Sequence, residues 1–462
     1  MTLTELQPTK SNLLKTFSTD TIGRSKSVVL FAQYLSRIDS GFSIAIDSSW
    51  GGGKTFFVKQ TKMVLDSFNP FSPNSLVDAE SEQLKQQAEK YVPNVSEALT
   101  STSHVSVYYD AWANDNSSDP ILSLVYEIVR NVNSDFDSLK QTDIPKLSAA
   151  IFDFFTGKNA KDILEIFRGD NPLDVICQEK TLQTLIDDFL RQIIKERGNR
   201  LVVFVDELDR CNPNYAVRLL ERVKHYFSNE NATFVFSINS DALQCTISKY
   251  YGGRFDSSRY LDRFFDLSIA LPPVNMALFY KHLGLQTWGT DIDIVSFHIV
   301  TKYGFSMREA IRFNKAVIVG TKHIDATTYA LMYCLTFILP VAAALRIIDQ
   351  AQFLSFISGR DGSPFYDLMQ QLEEDSGLSE SYDRWLLDYT ESYYVTDNPK
   401  IKTVSRSDKL RDVYNALFSR RLKNGRIETV RIGDLRFDDQ MRSQFFARLG
   451  ALSDNADYTG NT

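Results

Sequence analysis

SIAIDSSWGGGKTFFV, residues 43–58, decides how the rest of the chain is read. The apolar run Ile44, Ala45, Ile46 predicts a strand, which breaks into the glycines Gly51, Gly52 and Gly53. Lys54 and Thr55 then open a helix. A strand, a glycine turn and a helix start together make an anion cradle, because free backbone N–H groups and the positive end of the helix dipole face whatever sits in the turn. Glycines let that backbone wrap closely, a lysine here reaches β- and γ-phosphates, and a threonine hydroxyl can ligate Mg²⁺. The candidate nucleotide-contacting run is therefore Ser48, Ser49, Trp50, Gly51, Gly52, Gly53, Lys54, Thr55 and Phe56, with Thr55 also a metal candidate. One position departs from the usual pattern: Ser48 stands where a first glycine normally starts the bend, so the turn must accommodate a side chain there. The competing reading is a glycine-rich surface loop beside an exposed lysine.

The second informative stretch is LVVFVDELDR, residues 201–210. Five apolar residues predict a central strand buried on both faces, and Asp206 and Glu207 sit where it emerges. Open α/β sheets bind ligands at the carboxyl ends of their strands. An acid placed there can hold Mg²⁺, and its neighbour can orient or deprotonate an attacking water. Without the glycine turn upstream, an acidic loop after a core strand would explain the same residues. A further strand, Thr233–Ile238, ends in Asn239, which either senses the γ-phosphate and the water or caps the helix that follows.

Strands at 44–46, 104–109, 201–205, 233–238 and 264–270 alternate with helical segments long enough for crossovers. The expected fold is α/β, a P-loop NTPase arrangement with a mostly parallel central sheet covered by helices and followed by a helical lid. The expected organisation is an N-terminal arm over 1–20, a nucleotide domain over 21–273 with helical insertions near 72–100 and 136–197, a helical lid over 274–358, and a C-terminal region over 359–462 whose role the sequence leaves open. Asn212 and Pro213 read as an N-cap and first helical residue. Ser306 and Glu309 form a capping-box pair, which sets Arg308 in a first helical turn, pointing either at the nucleotide or into solvent. Trp112 reads as a packing residue at a strand end, and the helically spaced Tyr382, Trp385, Tyr389 and Tyr393 as core. The arginines 420, 421, 426, 431, 436 and 442 alternate with acids and read as a solvated face.

Of the 462 residues, 43% are hydrophobic and 24% charged, and the net charge is −7, which argues against a surface built to hold nucleic acid. Four cysteines without a paired motif indicate neither a zinc site nor a disulfide framework and point to a reducing cytoplasmic setting. The uncharged segment 326–345 approaches the length of a membrane span, but its threonines, tyrosines and Pro340 favour a buried core helix.

The motifs SSWGGGKT (48–55), YYDAWAND (108–115), VVFVDELDRCNP (202–213), FVFSINSDAL (234–243) and YLDRFFDLSIALPP (260–273), in that order, closely resemble the KAP family of P-loop NTPases. The resemblance covers residues 20 to about 318 and implies a fold similar to the additional-strand ATPases, with ATP and Mg²⁺ as ligands. By that resemblance Trp50, Gly51, Gly53, Lys54 and Thr55 form the phosphate loop, Asp206 is the Mg²⁺-side acid, and Asp209 and Arg210 complete the family's hallmark. Many members carry Asp where this chain has Glu207; a glutamate reaches farther and favours hydrolysis. Arg308 is similar to the lid arginine that touches the γ-phosphate, and Arg259 and Arg263 are candidates for contact with a neighbouring subunit in a homo-oligomer. The expected catalytic set is thus Lys54, Glu207, Asn239 and Arg308. The resemblance implies an ATP-hydrolysing switch or motor acting on a protein effector, in the setting of anti-phage defence. The alternatives are a nucleotide-holding scaffold and, less in keeping with the acidic charge, a nucleic-acid-stimulated ATPase. No guanine-reading motif occurs, which points to ATP.

Overall fold

The computed structural model describes residues 7–39, 41–72, 78–117, 119–132, 148–151, 172–227, 230–282, 290–321, 328–376, 391–392, 401–402, 405–418, 422–423, 426–427 and 429–451. The chain divides into two compact units, Met1–Phe279 and Tyr280–Thr462.

The first unit is built on five strands, β1 (Phe42–Asp47), β2 (His104–Asp110), β3 (Arg200–Asp206), β4 (Ala232–Ile238) and β5 (Leu267–Ala270). They form one sheet in the order β2-β3-β4-β1-β5, and every pairing is parallel. The expected mostly parallel sheet is wholly parallel, and β4 separates the strand of the glycine turn from the strand of the acid pair. β3 and β4 are buried at every position, as the apolar run Leu201–Val205 predicts for a strand covered on both faces; in β4 the small polar Thr233 and Ser237 are buried too. β5 is shorter than the sequence reading: Phe264 and Phe265 precede it and pack against the core, so their aromatic character signals burial and not extension.

Helices cover the sheet: α1 (Lys10–Ser18), α2 (Ser25–Ser36), α3 (Lys54–Phe68), α4 (Asp78–Tyr91), α5 (Val95–Ser101), α6 (Pro120–Val132), α7 (Pro172–Arg197), α8 (Pro213–Tyr226) and α9 (Ser240–Tyr251). The predicted Asn212 cap is present, its side chain accepting from the Asn214 N–H with Pro213 at the helix start. α6, α7 and α8 bury an apolar stripe against β2 and β3, where Val203, Phe189 and Leu219 are fully enclosed; Phe204, on the other face of β3, is enclosed as well. Truncating Phe204 to alanine would cost about 3–5 kcal/mol.

Within the expected loose N-terminal arm, Lys10–Ser18 form a helix. Thr9 caps α1, Leu13 and Phe17 are buried one turn apart, and the Gln60 amide of α3 bonds the Leu13 carbonyl at 3.1 Å. In the insertion over 72–100, α4 and α5 also bury Leu84, Ala88, Val95 and Leu99.

The second unit is mainly helical, with the antiparallel pair Val430–Ile432 and Leu435–Phe437 burying Ile432, Leu435 and Phe437 in its core. Helices Thr290–Lys302, Met307–Thr321, Gln350–Ile357, Ser363–Ser376, Arg406–Phe418 and Asp439–Ala451 accompany the apolar segment Tyr329–Ile348. That segment is long and apolar enough to cross a membrane, yet 72% of its most apolar window is buried. It is not one uniform α-helix: Cys334–Ile338 is a π turn, because Pro340 cannot donate to the Thr336 carbonyl and the ladder widens there. The arginine-rich C-terminus is not uniformly solvated. Arg442 is 4% exposed and donates from Nε to the Ala416 carbonyl at 2.8 Å, whereas exposed Arg436 pairs with Asp438 at 3.2 Å. Arg420, Arg421, Tyr382, Trp385, Tyr389 and Tyr393 lie outside the described residues.

Candidate functional site

Because the sheet is parallel, the turns after β1, β3 and β4 open on one edge. After β1 the chain runs through Ser48–Gly53 with Gly51 at φ +81° and Gly53 at φ +89°, conformations that only glycine adopts without strain. Gly52 is closely surrounded, with the Ser49 carbonyl 3.1 Å from where a Cβ would lie. A Cβ there would lie 2.3 Å from the Ser48 hydroxyl oxygen, so Ser48, the residue that departs from the usual glycine, occupies the space a side chain at position 52 would need. Gly53 then leads into α3, whose first-turn N–H groups at Lys54, Thr55 and Phe56 have no intrahelical partners. The Phe56 side chain is buried in the core, which leaves only its backbone to face the cradle. Thr55 is half-buried at the helix start.

The Lys54 ammonium folds back over the turn and donates to the carbonyls of Ser48 at 2.5 Å and Ser49 at 3.2 Å. Burial lowers its pKa, while the carboxylates of Asp209, Asp206, Glu207 and Asp47 pull it the other way. The glycine turn and the acid stretch therefore meet. The most direct link is Trp50, whose indole Nε1–H donates to Asp209 Oδ2 at 2.6 Å across 159 positions of sequence.

Asp206, at the end of β3, is 1% exposed and held at both oxygens: Tyr108 Oη–H donates to Oδ2 at 3.0 Å and the Glu207 N–H to Oδ1 at 3.0 Å. Burial, then the charge of Asp206, raises the Tyr108 phenol well above its ordinary value, keeping it a donor. Lys59, one turn after Thr55, stands 4.2 Å over the Tyr108 ring. Burial lowers its pKa against the opposing pull of Asp206 and Asp110. Glu207 is in the left-handed region, φ 61° and ψ 23°, without being glycine. Its Oε2 accepts from Arg210 Nε at 2.6 Å. Burial, then Asp206, raises the Glu207 carboxyl above the usual carboxylate range, with Arg210 opposing them. Asp209 is 6% exposed, and its Oδ1 is buried without a partner.

Asn239 lies at the tip of β4, where its side-chain oxygen caps α9 by accepting from the Ala242 N–H at 3.2 Å. Next to it the Ser240 N–H donates to Asp47 Oδ1 at 2.8 Å, tying the ends of β1 and β4. Arg308 belongs to the second unit, exposed in the first turn of the helix Met307–Thr321, which opens with the predicted box: Ser306 N and Oγ both donate to Glu309 Oε2 at 2.8 Å. Trp112 is not a packing residue. It is 52% exposed and lies against the Arg210 guanidinium at 5.6 Å, as Trp50, also 52% exposed, lies against Asp209.

Sequence reading missed Arg24, Lys59, Tyr108 and Asp47. Tyr108 had a usable signal, since parallel pairing of β2 with β3 in register brings the YYD end of β2 beside the FVD end of β3. Arg24 had none beyond a Gly-Arg pair ahead of an amphipathic helix. Among the described residues no group of three or more His, Cys, Asp and Glu side chains could hold a metal by itself. An ion here would need oxygen from Thr55 and from a ligand as well as from Asp206.

The family model described as the KAP family P-loop domain matches residues 24–288, more than half of the chain. No curated protein matches the chain.

Proposed function

The chain belongs to the KAP family of P-loop NTPases, and from that premise we propose that it binds ATP with Mg²⁺ in the turn Ser48–Gly53, hydrolyses it, and uses the cycle as a switch on a protein partner. One observation carries this reading. Lys54 and the acids Asp206, Glu207 and Asp209, far apart in sequence, face one another at a single sheet edge, with Trp50 joined to Asp209 at 2.6 Å.

In this reading the glycine turn and the first N–H groups of α3 hold the polyphosphate. Lys54 leaves the carbonyls of Ser48 and Ser49 and turns to the β- and γ-phosphate oxygens. The Thr55 hydroxyl and the Asp206 carboxylate are hard oxygen donors suited to Mg²⁺, and the buried Asp206, fixed at both oxygens by Tyr108 and its own neighbour, fits a charge that awaits a cation. When bound, that ion offsets phosphate charge. Glu207, its carboxyl already raised, takes a proton from the attacking water once Arg210 releases it. Asn239 contributes its amide N–H₂ toward that water, its oxygen being occupied by the cap.

Binding and turnover separate the roles. Lys54→Ala should abolish nucleotide binding in a fluorescent-nucleotide titration. Glu207→Gln should retain ATP while phosphate release drops about 100- to 10000-fold; release at the parental rate would remove Glu207 from the mechanism. A second reading, a scaffold that holds nucleotide with little hydrolysis, draws on the Glu207–Arg210 ion pair, which occupies the proposed base. Tight ATP retention by the parent with no phosphate released in a single turnover would favour it.

A further inference from the structure

Arg24 stands where α2 begins, with only 6% of its surface exposed. Its Nη1 donates to the Gly52 carbonyl at 2.6 Å, and its Nε is buried without a partner. Among the described residues no carboxylate pairs with it, and burial lowers its pKa to about 10. A guanidinium kept out of water with no acid beside it is costly, and such a group persists where an anion offsets it.

The backbone that presents Arg24 is tightly fixed. Gly23 adopts φ +71°, and a Cβ on it would sit 2.5 Å from the Asn275 Cβ. The Gly23 N–H donates to the Asp20 carbonyl, the Asn275 N–H to the Ile22 carbonyl, and the Ser25 N–H to the Asp20 carboxylate. The arginine is thus aimed at the glycine turn by a short rigid bend. Its target is a carbonyl, and in a trans peptide the N–H of the next residue points the opposite way. Fixing the Gly52 oxygen therefore fixes the direction of the Gly53 N–H.

We infer that Arg24 is a positioning residue of the phosphate loop, holding the Gly52–Gly53 peptide so that the Gly53 N–H serves the polyphosphate, whose charge in turn offsets the buried guanidinium. This rests on the nucleotide reading above. It goes further by giving the cradle a cationic support from outside the glycine turn and α3.

The test uses the full chain as parent, Arg24→Met and Arg24→Lys, with melting temperature measured alone and with MgADP or MgATP, and with affinity from a fluorescent-nucleotide titration. Without nucleotide, Arg24→Met should melt at or above the parent, since an uncompensated buried charge has gone. With nucleotide, its stabilisation should be smaller than the parent's and its affinity should fall about ten- to a hundredfold, the range of a charge-assisted hydrogen bond. Arg24→Lys, which restores charge without the fork, should fall between the two. A merely structural arginine gives the reverse, a lower melting temperature alone with affinity within about twofold of the parent, and that result overturns the inference. If Arg24→Met does not fold, Arg24→Lys decides: parental affinity overturns the inference and a weakened one at parental melting temperature supports it. A parent with no nucleotide response at all would overturn the nucleotide reading itself, a failure distinct from that of Arg24.

Discussion

The turns after β1 and β3 start from the same situation, a buried parallel strand reaching the same sheet edge, and solve it in opposite ways. The first, Ser48–Gly53, strips away side chains: Gly51 and Gly53 take positive φ at no steric cost, and Gly52 leaves room for the Ser48 hydroxyl. The second crowds side chains in: Asp206, Glu207 and Asp209 fall within four positions, and Glu207 takes φ 61° without being glycine, at a cost of about 1–2 kcal/mol. The first turn is shaped by its backbone, with Lys54 at its end and Arg24 behind it as its cations. The second is shaped by side-chain partners, Tyr108 on Asp206, Arg210 on Glu207 and Trp50 on Asp209. A turn that works through backbone N–H groups is vulnerable to a methyl group, and one that works through carboxylates is vulnerable to a change of charge.

That contrast can be broken most forcefully at Gly52. Gly52→Ala drives a Cβ to 2.3 Å from the Ser48 oxygen, and overpacking of that kind costs about 1–3 kcal/mol. Nucleotide affinity should fall by about ten- to a hundredfold in a titration. Ser48→Gly in the same chain should restore most of it, and if it does not, Ser48 is not what makes position 52 intolerant. The mirror experiment belongs to the other turn. Glu207→Gly relieves left-handed strain while freeing the unfolded chain, so its unfolding free energy should stay within about 1 kcal/mol of the parent in a denaturant titration. Turnover should nonetheless be lost as completely as in Glu207→Gln. A stability loss of several kcal/mol would mean that the Glu207–Arg210 pair, and not the backbone, shapes that turn.

The sequence carried the fold well, because buried parallel strands leave a signature that needs no tertiary information: 201–205 is apolar at every position, and 233–238 at every position but Thr233 and Ser237. The glycine turn and the acid pair were legible for the same local reason. What could not be read was everything that depends on register and packing. Arg24 reaches Gly52 across 28 positions, and Trp50 reaches Asp209 across 159, and neither spacing has a period. Aromatic residues misled in both directions. Trp112 was expected inside and is exposed beside Arg210, while Phe264 was expected in a strand and packs just ahead of it. The N-terminal helix was missed because α1 is short and its apolar positions, Leu13 and Phe17, span a single turn.

The smallest effect comes from the proton on Glu207. Its folded-state carboxyl is raised by burial and by Asp206, with Arg210 opposing, so the folded protein holds that proton at pH values where the unfolded chain has released it. The stability this gives is fully present below the unfolded value, near 4.5, and is lost as pH rises through the raised folded value. Glu207→Gln removes the titration, so the melting temperature of the variant relative to the parent should climb as pH rises through that window and level off above it. Arg210→Ala should widen the window upward, since the cation paired with Glu207 is gone. Neither substitution should alter the response of the glycine turn to Gly52→Ala, because the affinity loss there is set by a steric contact that carries no proton. A pH-dependent Gly52→Ala penalty that follows Glu207 would show that the two turns respond as one unit, and the division between backbone and side-chain work would have to be given up.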